Sequence, residues 1–190
     1  MRKSQAIGLV LGAAGDAPVV TTTGYASRIA AAMGDRPQNF YMTGSMGLAG
    51  AVGAGLAATL GRRVYVIDGD GSVLMNASVL ATIGGAPPTP LTQIVLDDGL
   101  YASTGGQPTH SASCDFAAMA LACGYPRACT VSDADGLARA LVPTGERGPH
   151  LIHCRLEAAA EPPGPRIPCD LPALAATFRV AVSNLQEGTL

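Results

Sequence analysis

Short apolar runs alternate with longer segments rich in small residues along the chain, and this alternation predicts the secondary structure. The run Val64-Tyr65-Val66-Ile67 is short and rich in β-branched residues, which is typical of a strand buried on both faces. Similar runs predict strands over 19–22, 39–43, 63–68, 91–96, 128–131 and 149–156. The segments between them predict helices over 25–33, 48–60, 76–83, 113–123, 132–141 and 171–183, with Ser132 capping the fifth.

Buried strands joined by helical crossovers indicate an α/β fold. We expect a doubly wound, mostly parallel sheet with helices on both faces, because parallel strands need such crossovers and are covered by them. The length of 190 residues suits a single domain over 1–190. The apolar stretch 47–61 is too short to cross a bilayer. Its glycines and alanines instead predict a buried helix that a neighbouring element approaches closely.

Composition and charge exclude several classes of function. The net charge of −2 gives no basic surface for nucleic acid or for an anionic membrane, so neither is an expected partner. An odd number of cysteines without a CxxC pair predicts free thiols rather than disulfides or a zinc site. The first residues carry no signal-peptide pattern, and we expect a cytoplasmic protein. Charged residues make up only 14% of the chain, which is consistent either with a surface partly covered by another subunit or with the glycine- and alanine-rich composition alone.

Two acidic turns follow neighbouring predicted strands. Gly69-Asp70-Gly71-Ser72 comes directly after one buried strand, and Asp97-Asp98-Gly99 comes after the next. In parallel sheets, ligands bind beyond the carboxyl ends of the strands, so both carboxylates are expected at one edge. Glycines bring backbone N–H groups near a ligand, and Ser72 before a helix favours an anion. Alone, each motif is equally typical of a structural turn, but together they predict a site for Mg²⁺ and a phosphate group.

These motifs resemble those of thiamine-diphosphate enzymes, in which Gly-Asp-Gly is followed by Asn at about this interval. The resemblance narrows to phosphonopyruvate decarboxylases and the β subunit of sulfopyruvate decarboxylase. This narrower resemblance rests on four stretches of the chain. They are 22–28 (TTGYASR), 39–47 (NFYMTGSMG), 97–109 (DDGLYASTGGQPT) and the tail from Arg166 onward. The family resemblance implies the thiamine-diphosphate-binding fold, with this chain as its diphosphate-binding domain.

The resemblance also implies roles for individual residues. Mg²⁺ would be held by Asp70, Asp98 and the Leu100 carbonyl. The diphosphate would be bound by the residues of two strand ends, namely Thr23, Gly24, Tyr25, Gly69, Gly71 and Ser72. Gly44 would offer its carbonyl to the aminopyrimidine, Ser45 would also bind the cofactor, and Met46 would wedge between the two cofactor rings. No residue of this chain is predicted to activate the cofactor, because the Glu that does so belongs to a pyrimidine-binding domain. That domain is expected on a partner α subunit.

The sequence departs from this family at three positions. Asp98 replaces Asn, Leu48 replaces His and Ile29 replaces Glu. Arg28 is interpreted either as a residue that meets a phosphonate or sulfonate, or as a structural residue. The predicted function is decarboxylation of a small 2-oxo acid, phosphonopyruvate or sulfopyruvate, to CO₂ and an aldehyde. Two alternatives stay open, an acyloin-type acyl transferase subunit and a non-catalytic subunit that binds the cofactor.

Overall fold

Six strands form one parallel sheet in a computed structural model that describes residues 1–145, 147–157, 161–168 and 170–187. The strand order is β2-β1-β3-β4-β8-β7, which confirms the predicted doubly wound sheet. The strands of this sheet are β1 (Val19–Thr21), β2 (Asn39–Tyr41), β3 (Val64–Gly69), β4 (Leu91–Asp97), β7 (Arg127–Val131) and β8 (His150–Arg155). Two further strands, β5 (Leu100–Tyr101) and β6 (Gln107–Pro108), form a small antiparallel hairpin that was not predicted.

Helices cover both faces of the sheet, and each face has its own apolar cluster. One face carries α1 (Lys3–Ala14), α2 (Tyr25–Met33) and α7 (Ala134–Leu141). The other carries α3 (Ala49–Leu60), α4 (Asp70–Met75), α5 (Ser78–Gly84) and α6 (Phe116–Ala122). The last helix, α8 (Leu171–Glu187), packs beside β2. No helix within the described ranges is both long enough and apolar enough to cross a membrane.

The small-residue helix α3 lies very close to the sheet, as its composition predicts. A Cβ added at Gly53 would lie 2.2 Å from Cγ2 of Val66 on β3, a distance that real Cβ atoms do not adopt. Glycine at this position therefore allows the contact between helix and strand. The cysteines also agree with the prediction, because Cys114, Cys123, Cys129 and Cys154 are free thiols. Cys169 lies outside the described residues.

The direction of the chain across the sheet changes between β1 and β3. From β1 the chain crosses to β2 on one side, and it then returns to β3 and continues to β4 on the other. Ligands of doubly wound sheets bind in the crevice beyond the strand ends at such a switch point. Since β3 and β4 pair in register from Val64–Leu91 to Gly69–Leu96, the residues that follow these two strands emerge side by side.

Several local predictions were wrong. The helix α1 was not predicted, because its polar and apolar residues lack the period of an amphipathic helix. The helix α4 was not predicted either, and it follows β3 directly, since Gly69 ends the strand and Asp70 begins the helix. The cap of α7 is Asp133, whose carboxylate accepts from the Gly136 N–H, and not Ser132.

Two further helix boundaries differ from the predicted ones. In the segment 113–123, Ser113 ends a 3-10 turn that starts at Ser111, and the α-helix runs only from Phe116 to Ala122, with Asp115 as its cap. The helix predicted over 76–83 starts at Ser78.

Candidate functional site

A pocket opens beyond the ends of β1, β3 and β4, where the sequence predicts a site. We call it the strand-end pocket, and its lining includes nine of the predicted site residues. These are Thr23, Tyr25, Met46, Gly69, Asp70, Gly71, Ser72, Asp98 and Leu100. The other three lie in adjoining cavities, Gly24 beside Thr23 and the pair Gly44 and Ser45 beside β2.

Asp70 begins α4 at the bottom of this pocket and is only 2% exposed. Its Oδ2 accepts a hydrogen bond of 2.5 Å from the Thr109 hydroxyl. Burial raises the pKa of Asp70, the hydrogen bond from Thr109 opposes this rise, and the carboxylates of Asp97 and Asp98 add to it. The pocket therefore concentrates negative charge, which a bound cation would neutralise.

Asp98, the second predicted metal ligand, is already paired with a cation. The ammonium group of Lys3 donates to Asp98 Oδ2 at 2.6 Å, and the two side chains are 17% and 10% exposed. Lys3 lies in the first turn of α1, a helix that was not predicted, so sequence reasoning missed it. No local signal could have found it, because 95 residues separate the two partners.

Ser72 links three chain segments at the floor of the pocket. Its hydroxyl lies 3.0 Å from the Thr22 hydroxyl after β1, and it accepts from the Gly47 N–H at 3.0 Å. The carbonyl of Gly47 in turn accepts from the Asn76 amide at 3.2 Å. These bonds hold the β1 end, the start of α4 and the loop before α3 together. The Ser72 hydroxyl thus has protein partners, in addition to any role toward a phosphate group.

The loop that follows β4 closes over two glycines of the pocket. A Cβ at Gly71 would lie 2.3 Å from Cε1 of Tyr101, so the tyrosine ring packs directly on the glycine backbone. Gly24 adopts a positive φ of 95°, and a Cβ there would lie 3.1 Å from the Ser103 hydroxyl. Both glycines therefore allow backbone to be approached closely, as the sequence predicts for a ligand-binding turn.

Asp97, next to Asp98, is fixed by a buried histidine. Its Oδ2 lies 2.8 Å from His153 Nε2, and its Oδ1 accepts from the Gly99 N–H. Burial pulls the pKa of Asp97 upward, but the hydrogen bonds from His153 and Ser111 outweigh it, and the pKa lies below its ordinary value. Asp97 is therefore a charged anchor that orients the turn carrying Asp98, rather than a group facing the pocket.

A second buried chain of hydrogen bonds supports the end of β3. The carboxylate of Asp68 accepts from the Gly69 N–H at 3.0 Å and from the Gln93 amide at 3.2 Å. Tyr125 in turn donates to Gln93 Oε1 at 3.0 Å. Burial raises the pKa of Asp68, while its hydrogen-bond donors, Ser72 first among them, lower it. This chain fixes the backbone immediately before Asp70.

The structure favours the structural interpretation of Arg28. Its guanidinium group donates to the carbonyls of Gly164 and Pro165 and lies 5.4 Å from the centroid of the Tyr25 ring. Arg28 thus ties the segment before α8 to the start of α2. Its donors toward those carbonyls are not available to a substrate acid group.

The donor atoms of the pocket fit Mg²⁺ better than a softer metal. The described residues contain no cluster of three or more His, Cys, Asp or Glu side chains able to hold a metal. Of the three carboxylates that line the pocket, that of Asp68 accepts from Gly69 and Gln93, and those of Asp70 and Asp98 are the predicted metal ligands together with the backbone of Leu100. Mg²⁺ usually takes one or two carboxylates and completes its shell with phosphate oxygens and water. Such a donor set therefore suits a metal that binds together with a diphosphate.

Comparison with known proteins places this geometry in a family. Residues 20–154 match the family described as thiamine pyrophosphate enzyme, C-terminal TPP binding domain. The chain belongs to this family. The match runs from β1 to β8, so it includes all six strands of the parallel sheet and every strand end that lines the pocket. Thiamine pyrophosphate is the same compound as thiamine diphosphate, and the predicted cofactor class is therefore confirmed.

Two curated relatives show which enzymes of this family the chain resembles in sequence. The chain is 45% identical over 179 residues to the phosphonopyruvate decarboxylase of Streptomyces viridochromogenes. This alignment covers 92% of this chain and 44% of that protein. It is 46% identical over 109 residues to the sulfopyruvate decarboxylase subunit beta of Methanococcus maripaludis, covering 57% of this chain and 59% of that subunit. The chain thus spans about half the length of these relatives.

A solved structure supports the fold alone. The benzoylformate decarboxylase of Polynucleobacter necessarius superposes with a TM-score of 0.73 at 16% sequence identity. The alignment covers 85% of this chain and 34% of that one. The described sheet and its helices therefore correspond to one part of a larger enzyme of that fold.

Proposed function

We propose that this chain is the diphosphate-binding subunit of a two-subunit, thiamine-diphosphate- and Mg²⁺-dependent enzyme that decarboxylates a small 2-oxo acid. The observation that carries the proposal is the meeting of Asp70, Asp98 and Thr23 in one pocket at the switch point of the sheet. This one cleft holds carboxylates that can bind a metal. It also holds hydroxyl and backbone groups that can donate to a phosphate. The names of the curated relatives support the reaction class.

In this proposal the metal is held by Asp70, Asp98 and the Leu100 carbonyl. Thr109 keeps the Asp70 carboxylate oriented through its 2.5 Å hydrogen bond. Because Asp70 is nearly inaccessible to water, its attraction to a dication is weakly screened. When bound, thiamine diphosphate supplies the electron sink for the electron pair released on loss of CO₂. The residues of this chain bind and orient it.

The remaining predicted residues would position the cofactor. Thr23 and Tyr25 line the pocket at the start of α2, and Gly24 between them lines the adjoining cavity; these three residues would hold the diphosphate. Met46 is half-buried in the same pocket and would contact the cofactor rings. Gly44 precedes it on an exposed loop, where its carbonyl would accept from the aminopyrimidine.

A partner subunit would complete the site. Around the loop before α3, the side chains of Leu48 (42% exposed), Val52 (38%) and Met75 (60%) present apolar surface to solvent. Leu48 and Val52 lie one helical turn apart, and Met75 adjoins Asn76, which bonds the same loop. The same loop carries Met46, which lines the pocket, and exposed apolar surface of this kind suits a protein partner. We propose that a pyrimidine-binding α subunit docks here and contributes the activating Glu.

The substrate class follows from the relatives and is proposed as phosphonopyruvate or sulfopyruvate. The test is to co-express the chain with its candidate partner and to measure CO₂ and aldehyde from a panel of 2-oxo acids. We expect CO₂ release that requires both chains, thiamine diphosphate and Mg²⁺. The Asp70→Asn variant should lose it, whereas Asp16→Asn, which removes the charge of an exposed carboxylate, should not.

Other outcomes would identify another function. Rapid turnover by the lone chain would contradict the split site. An acyloin product in place of an aldehyde would indicate acyl transfer. Cofactor binding by the assembled complex without CO₂ release from any 2-oxo acid would indicate a non-catalytic subunit.

A further inference from the structure

The ion pair between Lys3 and Asp98 lies inside the strand-end pocket and is held there by the fold. Both residues line the pocket together with Asp70 and Ser72. The helix that carries Lys3 is anchored through Ala6, Ile7 and Val10, which are fully buried, and it packs against α2 and α7. The packing of the whole helix therefore places the Lys3 side chain at the pocket.

The charge balance of the pocket depends on this one ammonium group. Among the described residues that line the pocket, the acidic side chains are Asp68, Asp70 and Asp98, and Lys3 is the only cationic one. A diphosphate that enters the pocket is itself strongly anionic. Without Lys3, the free Asp98 carboxylate would repel it across a poorly screened space.

We propose that Lys3 is a component of the cofactor site, acting as the resident counter-ion of Asp98. The pair carries no net charge, so it presents the diphosphate with the electrostatic equivalent of a neutral side chain while keeping a carboxylate oxygen for the metal. This inference rests on the proposed diphosphate site.

If Lys3 is the counter-ion of Asp98, removing either charge should change the affinities for pyrophosphate and for Mg²⁺ in opposite directions. Lys3→Met frees a carboxylate, so it should weaken the binding of inorganic pyrophosphate in the absence of Mg²⁺ by about tenfold and tighten the binding of Mg²⁺ alone. Asp98→Asn frees an ammonium group, so it should tighten the binding of pyrophosphate and weaken the binding of Mg²⁺. The double variant Lys3→Met/Asp98→Asn restores neutrality and should return both affinities to within about threefold of the parent.

The experiment is a calorimetric titration of the four proteins with pyrophosphate and, separately, with Mg²⁺. Arg2→Met is the matched control, because it removes an exposed positive charge from the residue next to Lys3 without lining the pocket. It should leave both affinities close to those of the parent. Melting temperatures of all variants are recorded in parallel, so that loss of structure is separated from loss of binding.

Two results would overturn the inference. If Lys3→Met lowers the melting temperature but leaves both affinities at the parent value, the ion pair is only structural. If Lys3→Met and Arg2→Met shift pyrophosphate binding equally, the effect belongs to net charge and not to the pocket. Failure of the parent to bind either ligand would instead contradict the proposed diphosphate site itself, and this inference with it.

Discussion

Gly71 lies at the point where α4 and the loop after β4 touch, and a methyl group there should separate them. A Cβ at Gly71 would meet Cε1 of Tyr101 at 2.3 Å, Cδ1 at 2.8 Å and Cζ at 3.0 Å. To reach ordinary van der Waals contact, the ring has to move by about 1 Å. Tyr101 follows Leu100 directly, so the Gly71→Ala substitution is expected to displace the segment that supplies Asp98 and the Leu100 carbonyl.

The stability of the variant results from two opposing terms. Overpacking of this kind costs about 1–3 kcal/mol. Replacement of glycine by alanine within a helix contributes about 1 kcal/mol in the opposite direction. The net decrease in the free energy of unfolding is therefore about 0–2 kcal/mol. Because Tyr101 is only half-buried, we expect it to move outward together with the loop that carries it, and hence the lower part of this range.

The functional effect should be larger than the effect on stability. A displacement of about 1 Å in a positioned group can lower a reaction rate by about 100-fold. We expect Gly71→Ala to lose most of the thiamine-diphosphate-dependent CO₂ release of the assembled enzyme and to bind Mg²⁺–thiamine diphosphate more weakly. Urea denaturation measures the stability, and calorimetry together with CO₂ release measures the function.

Two controls separate the steric cause from other causes. Gly55→Ala, at an exposed site of α3 where an added Cβ meets no atom within 4 Å, should be neutral or stabilising and fully active. The double variant Gly71→Ala/Tyr101→Ala removes the ring and should recover part of the cofactor affinity. If Gly71→Ala binds the cofactor as tightly as the parent does, the Tyr101 loop does not position the site and the reasoning is refuted.

Two further predictions concern buried polar groups. Thr109→Val removes the hydroxyl that donates to Asp70 and should lower the free energy of unfolding, measured by urea denaturation, by about 1.5–3 kcal/mol. Thr109→Ser keeps a hydroxyl and should retain most of the stability of the parent. Burial, assisted by two nearby arginines, lowers the pKa of His150 to about 4 from 6.5. The unfolded chain therefore binds this proton more tightly, and the stability present above pH 6.5 should decline by up to about 3 kcal/mol as the pH falls to 4. Denaturation across this range should give a flatter profile for His150→Gln than for the parent.

The sequence predicted the sheet well because its strands carry their own signal. The run 64–67 is β-branched and apolar, and every residue of it is buried in the structure. The parallel register then places the residues after β3 and β4 at one edge, so Asp70 and Asp98 could be predicted together. That prediction required only local patterns and one general property of parallel sheets.

The residues that sequence reasoning missed reach the site from distant parts of the chain. Lys3 lies on a helix without amphipathic periodicity, and Thr109 bonds to Asp70 from a position 39 residues later in the sequence. Neither contact leaves a local pattern. The wrong cap of α7 has a different cause, since Ser132 and Asp133 are both good capping residues and only the backbone conformation decides between them.

The position of α8 beside β2 has a consequence for the behaviour of the chain in solution. Strand β2 is the last of the sheet on its side, and an uncovered edge strand offers unpaired N–H and C=O groups to other molecules. The helix packs there, with the rings of Phe40 and Phe178 tilted at 55° and their centroids 5.2 Å apart. This aromatic contact holds α8 against β2, and we expect the helix to hinder pairing of this edge with a second copy of the chain.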